Sequence, residues 1–379
     1  MDASPKWKIS KGPSPLSRKL GIEGTSPLKK LTKHKKISII IILNWQKNGG
    51  KILKETVDIL LATYKTNPIY LKEQIDSILN QTYKEIKLII SDDYSETSSQ
   101  IKEILEEYQK KDNRITVFYQ EKNIGYIKNF EFLLQKSQSN YIMFSDHDDI
   151  WYENKVEKSL KELKEQNVDL VYCNAKQIDE NGNVIHENYF KYKNMPLING
   201  RSHLAISRYI GIGCSQIFTK EVKEKMLPFK ENVMAHDWLV SFIANENRGI
   251  ANIGEQLFEY RLHNTNVFGG RSLAQNLAKW KEKNGKSYNS YLKYRKEKVI
   301  DMAYLDGARM CFSYCKDEKN KQFLGNLIKY YERLEQCKYI NFHFIKYFKF
   351  LAGKNLLKKM IKEFVIFHLP IIGYLTFKM

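Results

Sequence analysis

Three carboxylates and an imidazole occupy four consecutive positions in the stretch FSDHDDIW, residues 144–151. Asp146, His147, Asp148 and Asp149 follow directly on the apolar run YIMF, which predicts a buried strand. Like charges this close cost stability unless a cation neutralises them. The D-x-D spacing brings two carboxylates to one side of an extended segment, which suits Mg²⁺ or Mn²⁺. Because Mg²⁺ held by few protein ligands completes its shell with substrate phosphates, the motif predicts a phosphorylated substrate.

Asp149 has a second interpretation. We expect a helix to begin near residues 152–155, and an acid just before a helix can accept hydrogen bonds from its free backbone N–H groups. Capping accounts for one of the three acids. The pair Asp146 and Asp148 still requires a cation.

The elements around the motif alternate between short apolar runs and helical periodicity. VDILLATY and IKLIIS predict buried strands, each followed by a segment with apolar residues on one helical face, and ITVFY, YIKNFEFLLQK and YIMFS repeat the unit. This order indicates an α/β fold with a mostly parallel, doubly wound sheet. Ligands bind beyond the carboxyl ends of such strands, so we expect residues 63–67, 91–99 and 145–149 to meet in one crevice.

The region after residue 150 is less regular and is expected to complete the cleft. VDLVYCN (168–174) predicts a strand, DENGN (179–183) a turn, and GIGCSQIF (211–218) a strand with a glycine-rich approach. MAHDWLVSFIANE predicts the start of a helix, and QLFEYRLHNTNVFGG predicts a strand that leads into a loop. From about residue 271 the helical periodicity becomes continuous.

The net charge of +19 is concentrated in the two flanks. Residues 1–54 hold 13 Lys and Arg against 2 Asp and Glu, and residues 271–379 hold 23 against 9, whereas residues 55–270 hold 26 against 32. A nucleic-acid enzyme would place basic residues around its active site, but the acidic motif lies in the acidic centre. Basic flanks are instead typical of contact with an anionic membrane surface, and we expect no nucleic-acid partner.

These patterns divide the chain into three regions. Residues 1–54 have the low apolar content of a disordered, basic extension. Gly49-Gly50 ahead of Leu53 also fits a ribosome-binding sequence before an alternative start codon, so the extension is either a native tail or not part of the native start. Residues 55–270 form the domain that carries the motif, and residues 271–379 form a basic, aromatic-rich helical region.

The helical region also bears on localisation. Its last forty residues mix lysines and aromatics as helices on a membrane interface do, although a solvated helical subdomain is the alternative. No run reaches the ~20 apolar residues needed to span a bilayer, no secretory signal is evident, and the five cysteines form no CxxC pair. We expect a cytoplasmic protein attached peripherally to the inner face of the membrane.

An ordered series of motifs runs through residues 56–270: ILLATYKTN, SDDYSETSS, NIGYIKNF, YIMFSDHDDIW, HDWL and YRLHNTN. In this order they resemble bacterial family 2 glycosyltransferases of the GT-A fold, and most closely the rhamnosyltransferase-like branch. The resemblance implies a metal-dependent, inverting transfer of a sugar, such as L-rhamnose, from a dTDP- or UDP-linked donor. The acceptor would be a hydroxyl of a cell-surface polysaccharide or of a glycan precursor on a lipid carrier.

The resemblance also implies which residues bind the nucleotide. Thr63 and Tyr64 match the segment that lines the nucleotide pocket. Asp92, with Asp93 beside it, matches the acid that accepts from the N3–H of a uracil or thymine ring. Asn123 and Gly125 match the segment that closes over the nucleotide, with a simple turn before a helix as their alternative.

A second set matches the diphosphate and metal site. Asp146 and Asp148 resemble the pair that binds the metal and the donor diphosphate, with Asp149 as a further ligand or a helix cap. Arg261 and His263 of YRLH resemble groups that reach back to the diphosphate and to the metal. They would offset the negative charge that develops on the leaving group.

Asp237 matches the general base that takes the proton from the acceptor hydroxyl. The family often has Glu-Asp at this point, whereas this chain has His236-Asp237 followed by Trp238, so the acidic neighbour is missing. Helix capping is the alternative role for Asp237. Strand alternation points His147 away from its flanking acids, so we expect it to face the sugar or the acceptor.

Two other classes of protein fit less well. A nucleotidyltransferase can share the sheet and the acidic metal site, but it usually carries a glycine-rich phosphate loop after the first strand, and ATYKTNP contains no glycine. A nucleic-acid-binding protein is suggested by the net charge and opposed by the acidic centre.

Overall fold

The computed structural model describes residues 55–94, 99–207, 209–263, 273–287, 289–290, 293 and 304–335. The basic N-terminal extension and the aromatic stretch from Lys338 onward, both predicted above, lie outside the described residues. So does the loop predicted after the YRLH motif.

Nine strands form one mixed sheet in the described part of the chain. The strands are β1 Val57–Thr63, β2 Ile86–Asp92, β3 Ile115–Tyr119, β4 Tyr141–Ser145, β5 Ile150–Trp151, β6 Leu170–Ile178, β7 Val184–His186, β8 Gln216–Thr219 and β9 Ile250–Arg261. The helices are α1 Pro68–Leu79, α2 Ser99–Lys111, α3 Tyr126–Lys136, α4 Lys155–Gln166, α5 Tyr189–Lys193, α6 His203–Ser207, α7 Lys220–Met226, α8 His236–Glu246, α9 Leu273–Asn284, α10 Tyr304–Tyr314 and α11 Glu318–Glu335.

The strand order is β3-β2-β1-β4-β8-β6-β9-β5, with β7 paired to β6. Strands β1 to β4 are parallel to one another, as the alternating pattern predicted. The second half joins through β8, which is antiparallel to both β4 and β6, while β6 and β9 are parallel. The α/β class is therefore confirmed, and the carboxyl ends of β1, β2 and β4 lie at one edge of the sheet.

The core follows the predicted apolar faces. Val57, Ile59, Leu60 and Leu61 of β1 are completely buried, and Leu71, Ile75 and Ile78 form the buried face of α1. Asn67 begins α1 by accepting a hydrogen bond from the Ile69 N–H at 2.8 Å, and Pro68 stands at the first helical position.

Two predicted elements differ in detail. The strand predicted at 168–174 begins at Leu170 and continues to Ile178, because pairing with β9, and with β7 at its end, extends it beyond its apolar run. The glycine-rich approach contains a 3₁₀ turn, Gly213–Ser215, and only Gln216–Thr219 is a strand. The turn at 179–183 is confirmed, with Gly182 at φ +85°.

The C-terminal helices pack behind α8. Helices α10 and α11 contact each other, and α10 also contacts α8. Gly307 of α10 lies so close to Trp238 that an added Cβ would stand 2.1 Å from the Trp238 Cη2 atom. Among the helices of the described residues, none is long and apolar enough to cross a membrane.

Candidate active site

The described parts of the three polar stretches that follow β1, β2 and β4 meet at one edge of the sheet, as predicted, while residues 95–98 of the second stretch lie outside the described residues. The Thr63 hydroxyl at the end of β1 donates to Asp92 Oδ1 at the end of β2, at 2.7 Å. The imidazole Nδ1 of His147 lies 3.2 Å from the Ala62 carbonyl oxygen. His147 therefore contacts the end of β1.

Asp93 holds the segment that precedes α3. Its carboxylate accepts hydrogen bonds from the Ile124 N–H at 2.7 Å and from the Gly125 N–H at 2.9 Å. The Asn123 amide donates to the Asp93 carbonyl at 3.4 Å. Gly125 has φ +81°, a conformation that a residue with a Cβ rarely adopts. Burial raises the pKa of Asp93, although the two N–H donors oppose this effect. Tyr64 is more exposed than these residues and lies against Lys65.

The end of the acidic motif is joined to β9. Strand β5 pairs antiparallel with β9, with Ile150 opposite Glu259, so that Arg261 comes to lie beside the motif. The Arg261 N–H donates to Asp149 Oδ1 at 3.2 Å, and its Nε donates to the Asp148 carbonyl at 2.9 Å. Its guanidinium also pairs with Glu73 at 2.6 Å. These contacts fix the backbone of the motif against two other elements.

His263 and Asp148 form a direct pair, with the imidazole Nε2 2.7 Å from the carboxylate Oδ2. Burial by itself would raise the pKa of Asp148, but His147, His263 and Arg261 outweigh it, and the pKa is lowered. Asp148 is therefore held as a carboxylate. The structure brings together two residues that are 115 positions apart in sequence.

Asp146 and Asp149 share a second cluster with Cys214, in which the carboxylate oxygens and the thiol sulfur lie within 4.8 Å of one another. Desolvation and then the nearby Asp148 raise the pKa of Asp146 to about 6. Burial, followed by Asp148 and Asp146, raises the pKa of Asp149 well above its usual range. The helix-cap interpretation of Asp149 is wrong. Its Oδ1 accepts from Arg261, and Asn154 occupies the N-cap position of α4.

The Gly213–Ser215 turn stands between this cluster and the HDWL motif. Cys214 contributes its thiol to the acidic cluster. A Cβ added to Gly213 would lie 3.4 Å from Asp237 Cβ and 3.5 Å from His236 Nε2. The turn therefore has Asp237 on one side and the acids on the other.

Asp237 lies in the first turn of α8. Its Oδ1 accepts from the Trp238 N–H at 2.8 Å, and its Oδ2 accepts from the Tyr209 hydroxyl at 2.6 Å. Burial and then Asp237 raise the pKa of Tyr209 well above its usual range, so Tyr209 stays a donor. The N-cap position of α8 belongs to Ala235.

The two neighbours of Asp237 point into the core. His236 is stacked on Phe130, with ring centroids 4.0 Å apart, and meets the edge of Phe144 at 4.6 Å. Burial lowers the pKa of His236, with Asp237 acting in the opposite direction. Trp238 is buried against α10. In the structure, these two side chains support Asp237 from the core.

Comparison with known proteins agrees with this architecture. The model of the family described as "Glycosyl transferase family 2" matches residues 58–227. An uncharacterized glycosyltransferase of Methanocaldococcus jannaschii is 30% identical over 232 residues, which are 60% of this chain and 78% of that protein. The chain belongs to glycosyl transferase family 2.

This family 2 glycosyltransferase is also similar to a second named protein and to a solved structure. TuaG of Bacillus subtilis, named for teichuronic acid biosynthesis, is 25% identical over 272 residues, which are 71% of this chain and 98% of TuaG. A solved structure of Staphylococcus aureus TarS 1–349 in complex with UDP has a TM-score of 0.47 and 18% identity, and covers 76% of this chain and 93% of that chain. The GT-A class and the enzymatic character expected from the motifs are confirmed by the family match and the named relatives.

Sequence reasoning missed several residues around the site: Glu73, Lys155, Tyr209 and Cys214. Lys155 did carry a signal, because a lysine at the first position of a helix opposes the helix dipole and needs another partner. No sequence signal pointed to Tyr209, because it lies between two short elements and belongs to none of the motifs. The site of this glycosyltransferase therefore includes residues that lie outside its recognisable sequence motifs.

Proposed function

We propose that this glycosyltransferase transfers a sugar from a pyrimidine nucleoside-diphosphate donor to a hydroxyl of a cell-surface glycan or of its lipid-linked precursor. The observation that carries the proposal is the meeting of Asp148, His263 and the other motif acids at the sheet edge, with Asp237 across the Gly213–Ser215 turn. The name of TuaG supports a cell-envelope acceptor. The motif order supports L-rhamnose, from a dTDP donor, as the first sugar to test.

The chemistry of the proposed ligands suits a divalent cation, although among the described residues Asp148 pairs with His263 while Asp146 is grouped with Asp149 and Cys214. Asp146 and Asp148 offer carboxylate oxygens and His263 offers an imidazole nitrogen, which Mg²⁺ and especially Mn²⁺ accept. Asp149 is a weaker candidate, because its side chain is completely buried and held by Arg261. When bound, the ion would neutralise charge on the donor diphosphate and on the leaving nucleoside diphosphate.

Asp237 is the proposed general base. Its carboxylate would take the proton from the acceptor hydroxyl while that oxygen attacks the anomeric carbon and the bond to the diphosphate breaks, which inverts the configuration. Tyr209 keeps the carboxylate in one orientation through its 2.6 Å hydrogen bond. Arg261 acts through the Asp148 carbonyl, so its described contacts favour a positioning role over direct diphosphate binding.

The nucleotide would lie over the ends of β1 and β2. Asp92 is positioned by the Thr63 hydroxyl, and a uracil or thymine ring offers one N–H donor between two carbonyls, which a carboxylate can recognise. Asp93 does not face this ring in the proposal. It holds the Asn123–Gly125 segment beside the nucleotide through two backbone N–H groups.

A thermal-shift screen tests the donor class, because a ligand that binds the native state raises its apparent stability. The panel is dTDP-L-rhamnose, UDP-glucose, UDP-N-acetylglucosamine and GDP-mannose, each with MnCl₂ or with EDTA. We expect stabilisation by a pyrimidine donor and a loss of most of it in EDTA. Equal stabilisation by GDP-mannose would contradict the role of Asp92.

The variant Asp148→Ala tests the metal site. We expect it to lose the Mn²⁺-dependent stabilisation and to release nucleoside diphosphate from the preferred donor at least a hundredfold more slowly. Asp306→Ala, which removes a surface carboxylate from α10, is the matched control and should behave as the wild type. Undiminished turnover of Asp148→Ala in Mn²⁺ would rule out the metal assignment.

A further inference from the structure

Lys155, the first residue of α4, is a lysine without exposed surface. Its ammonium Nζ lies 3.5 Å from the ring centroid of Trp151 and 4.1 Å from that of Phe258. It donates a 2.6 Å hydrogen bond to the Cys214 carbonyl. Burial lowers the pKa of Lys155, with Asp149 and Asp146 among the groups that oppose this effect. Contact with two aromatic faces and a carbonyl also favours the ammonium form.

The carbonyl that Lys155 binds belongs to the Gly213–Ser215 turn. On one side of this turn, the Cys214 thiol lies within 4.8 Å of the carboxylate oxygens of Asp146 and Asp149. On the other side, Gly213 lies against Asp237, where an added Cβ would be 3.5 Å from Asp237 Oδ2. A displacement of the turn would therefore change the spacing between the proposed base and the acidic motif.

We propose that Lys155 is a positioning residue for sugar transfer, which holds the Gly213–Ser215 turn at the distance that aligns Asp237 with the donor site. The inference rests on the proposed function of Asp237. It goes beyond that function because it assigns a role to a lysine that contacts neither base nor acid directly in the hydrogen bonds described above.

A packing role alone does not explain a lysine at this position. Methionine would fill nearly the same volume between Trp151 and Phe258 without the cost of desolvating an ammonium. The first turn of a helix is also an unfavourable place for a cation. What methionine cannot supply is the ammonium group, which donates to the Cys214 carbonyl and whose charge acts on Asp149 and Asp146. Of these, only the hydrogen bond to Cys214 fixes the position of the turn.

The test compares Lys155→Met, Asp237→Asn and the double variant Lys155→Met/Asp237→Asn in the full chain. Lys161→Met, which replaces an exposed lysine of the same helix, is the matched control. The readouts are the kcat and KM for nucleoside-diphosphate release from the preferred donor of the panel above, and the Tm without metal. Lys161→Met should match the wild type in all three.

We expect Lys155→Met to lower kcat at least tenfold, with the donor KM within about threefold and the Tm within a few degrees of the wild type. Because the lysine acts through the base, the double variant should be no slower than Asp237→Asn alone. A purely structural lysine would instead lower the Tm together with kcat, and its effect would multiply with that of Asp237→Asn.

Three results separate the inference from the proposed function. A kcat of Lys155→Met within twofold of the wild type, or effects that multiply in the double variant, overturns the role of Lys155. Wild-type turnover in Asp237→Asn overturns the base itself. If Lys155→Met does not fold, Lys155→Arg replaces it in the single and the double variant. The longer cation should also displace the turn and lower kcat. A loss of kcat that multiplies with that of Asp237→Asn again overturns the inference.

Discussion

The contacts of single side chains distinguish residues that are proposed to contact the substrate from residues that position those side chains. Asp237 is an example, because one oxygen is held by its own helix and the other by Tyr209. A charge-assisted hydrogen bond of this kind contributes about 1.5–3 kcal/mol. Tyr209 is thus the residue whose loss should affect the base without touching the metal site.

We predict that Tyr209→Phe lowers kcat by about tenfold to a hundredfold, because about 1.4 kcal/mol corresponds to a tenfold change in rate. Tyr108→Phe is the matched control. Its hydroxyl also donates to an aspartate, Asp76, at 2.7 Å, but on the outer surface of α1 and α2. Steady-state release of nucleoside diphosphate measures both. Equal losses in the two variants would contradict a specific role for Tyr209.

The buried imidazole of His236 predicts how the stability of the folded chain depends on pH. Burial lowers its pKa in the folded chain, and Asp237 only partly opposes this. The unfolded chain then binds a proton at a higher pH than the folded chain, so the contribution to stability is lost as pH falls below the unfolded value of about 6.5.

His236→Phe should keep the stacking on Phe130 and remove this pH dependence. We expect the wild type to lose up to about 1.4 kcal/mol per pH unit more than the variant as the pH falls from about 6.5. Urea unfolding at pH 5 to 7 measures the difference. His186→Phe leaves His236 in place and should keep the wild-type profile, and parallel profiles of His236→Phe and wild type would refute the assignment.

At the scale of the elements, the site depends on pairings that cross the domain. The antiparallel pair β5–β9 brings Arg261 and His263 to the motif. Helix α8, which carries Asp237, is fixed from behind by α10, where Trp238 fills the space left by Gly307. The C-terminal helices therefore support the proposed base from outside the family match, which ends at residue 227.

We predict that Gly307→Ala destabilises the protein by about 1–3 kcal/mol, because the new Cβ would overlap a Trp238 ring that is buried and cannot move away. Gly325→Ala in α11 is the matched control. Its Cβ would make an ordinary contact, 3.6 Å from Phe312. The helix preference of alanine over glycine should therefore stabilise this variant, by at most about 1 kcal/mol. Urea unfolding compares the two, and equal stability of both variants would contradict the packing argument.

At the scale of the whole molecule, we propose the same three regions that composition suggested, with the catalytic domain at residues 55–270. Residues 338–379 hold 8 lysines against 1 glutamate, interleaved with aromatic side chains. A basic residue near an anionic membrane contributes about 1 kcal/mol to binding. Peripheral attachment through this segment follows as a proposal.

We predict that removal of residues 338–379 reduces sedimentation with phosphatidylglycerol vesicles at least tenfold, while removal of residues 1–54 leaves the Tm of the remainder unchanged. Vesicles of phosphatidylcholine are the control surface, to which neither form should bind strongly. Unchanged sedimentation of the chain lacking residues 338–379 would remove the anchor proposal, and a large fall in Tm without residues 1–54 would contradict the domain boundary.

The sequence by itself determined the local elements and the position of the acidic motif at a strand end. The βαβ order, the exact span of α3 and the strand YIMFS follow from periodicity, which depends only on residues close together in the chain. The meeting of the Thr63, Asp92 and Asp146 stretches also followed, because parallel strands place their carboxyl ends at one edge.

Only the tertiary structure decided how the acids are divided. Asp148 pairs with His263, Asp149 is held by Arg261 instead of capping α4, and Cys214 joins Asp146 from a turn that periodicity could not specify. The position of Lys155 at a helix start indicated that it needs a partner, but only the packed structure shows that the partners are Trp151, Phe258 and the Cys214 carbonyl. The physical reason is that burial and long-range contacts, which set these roles, arise only when distant segments pack together.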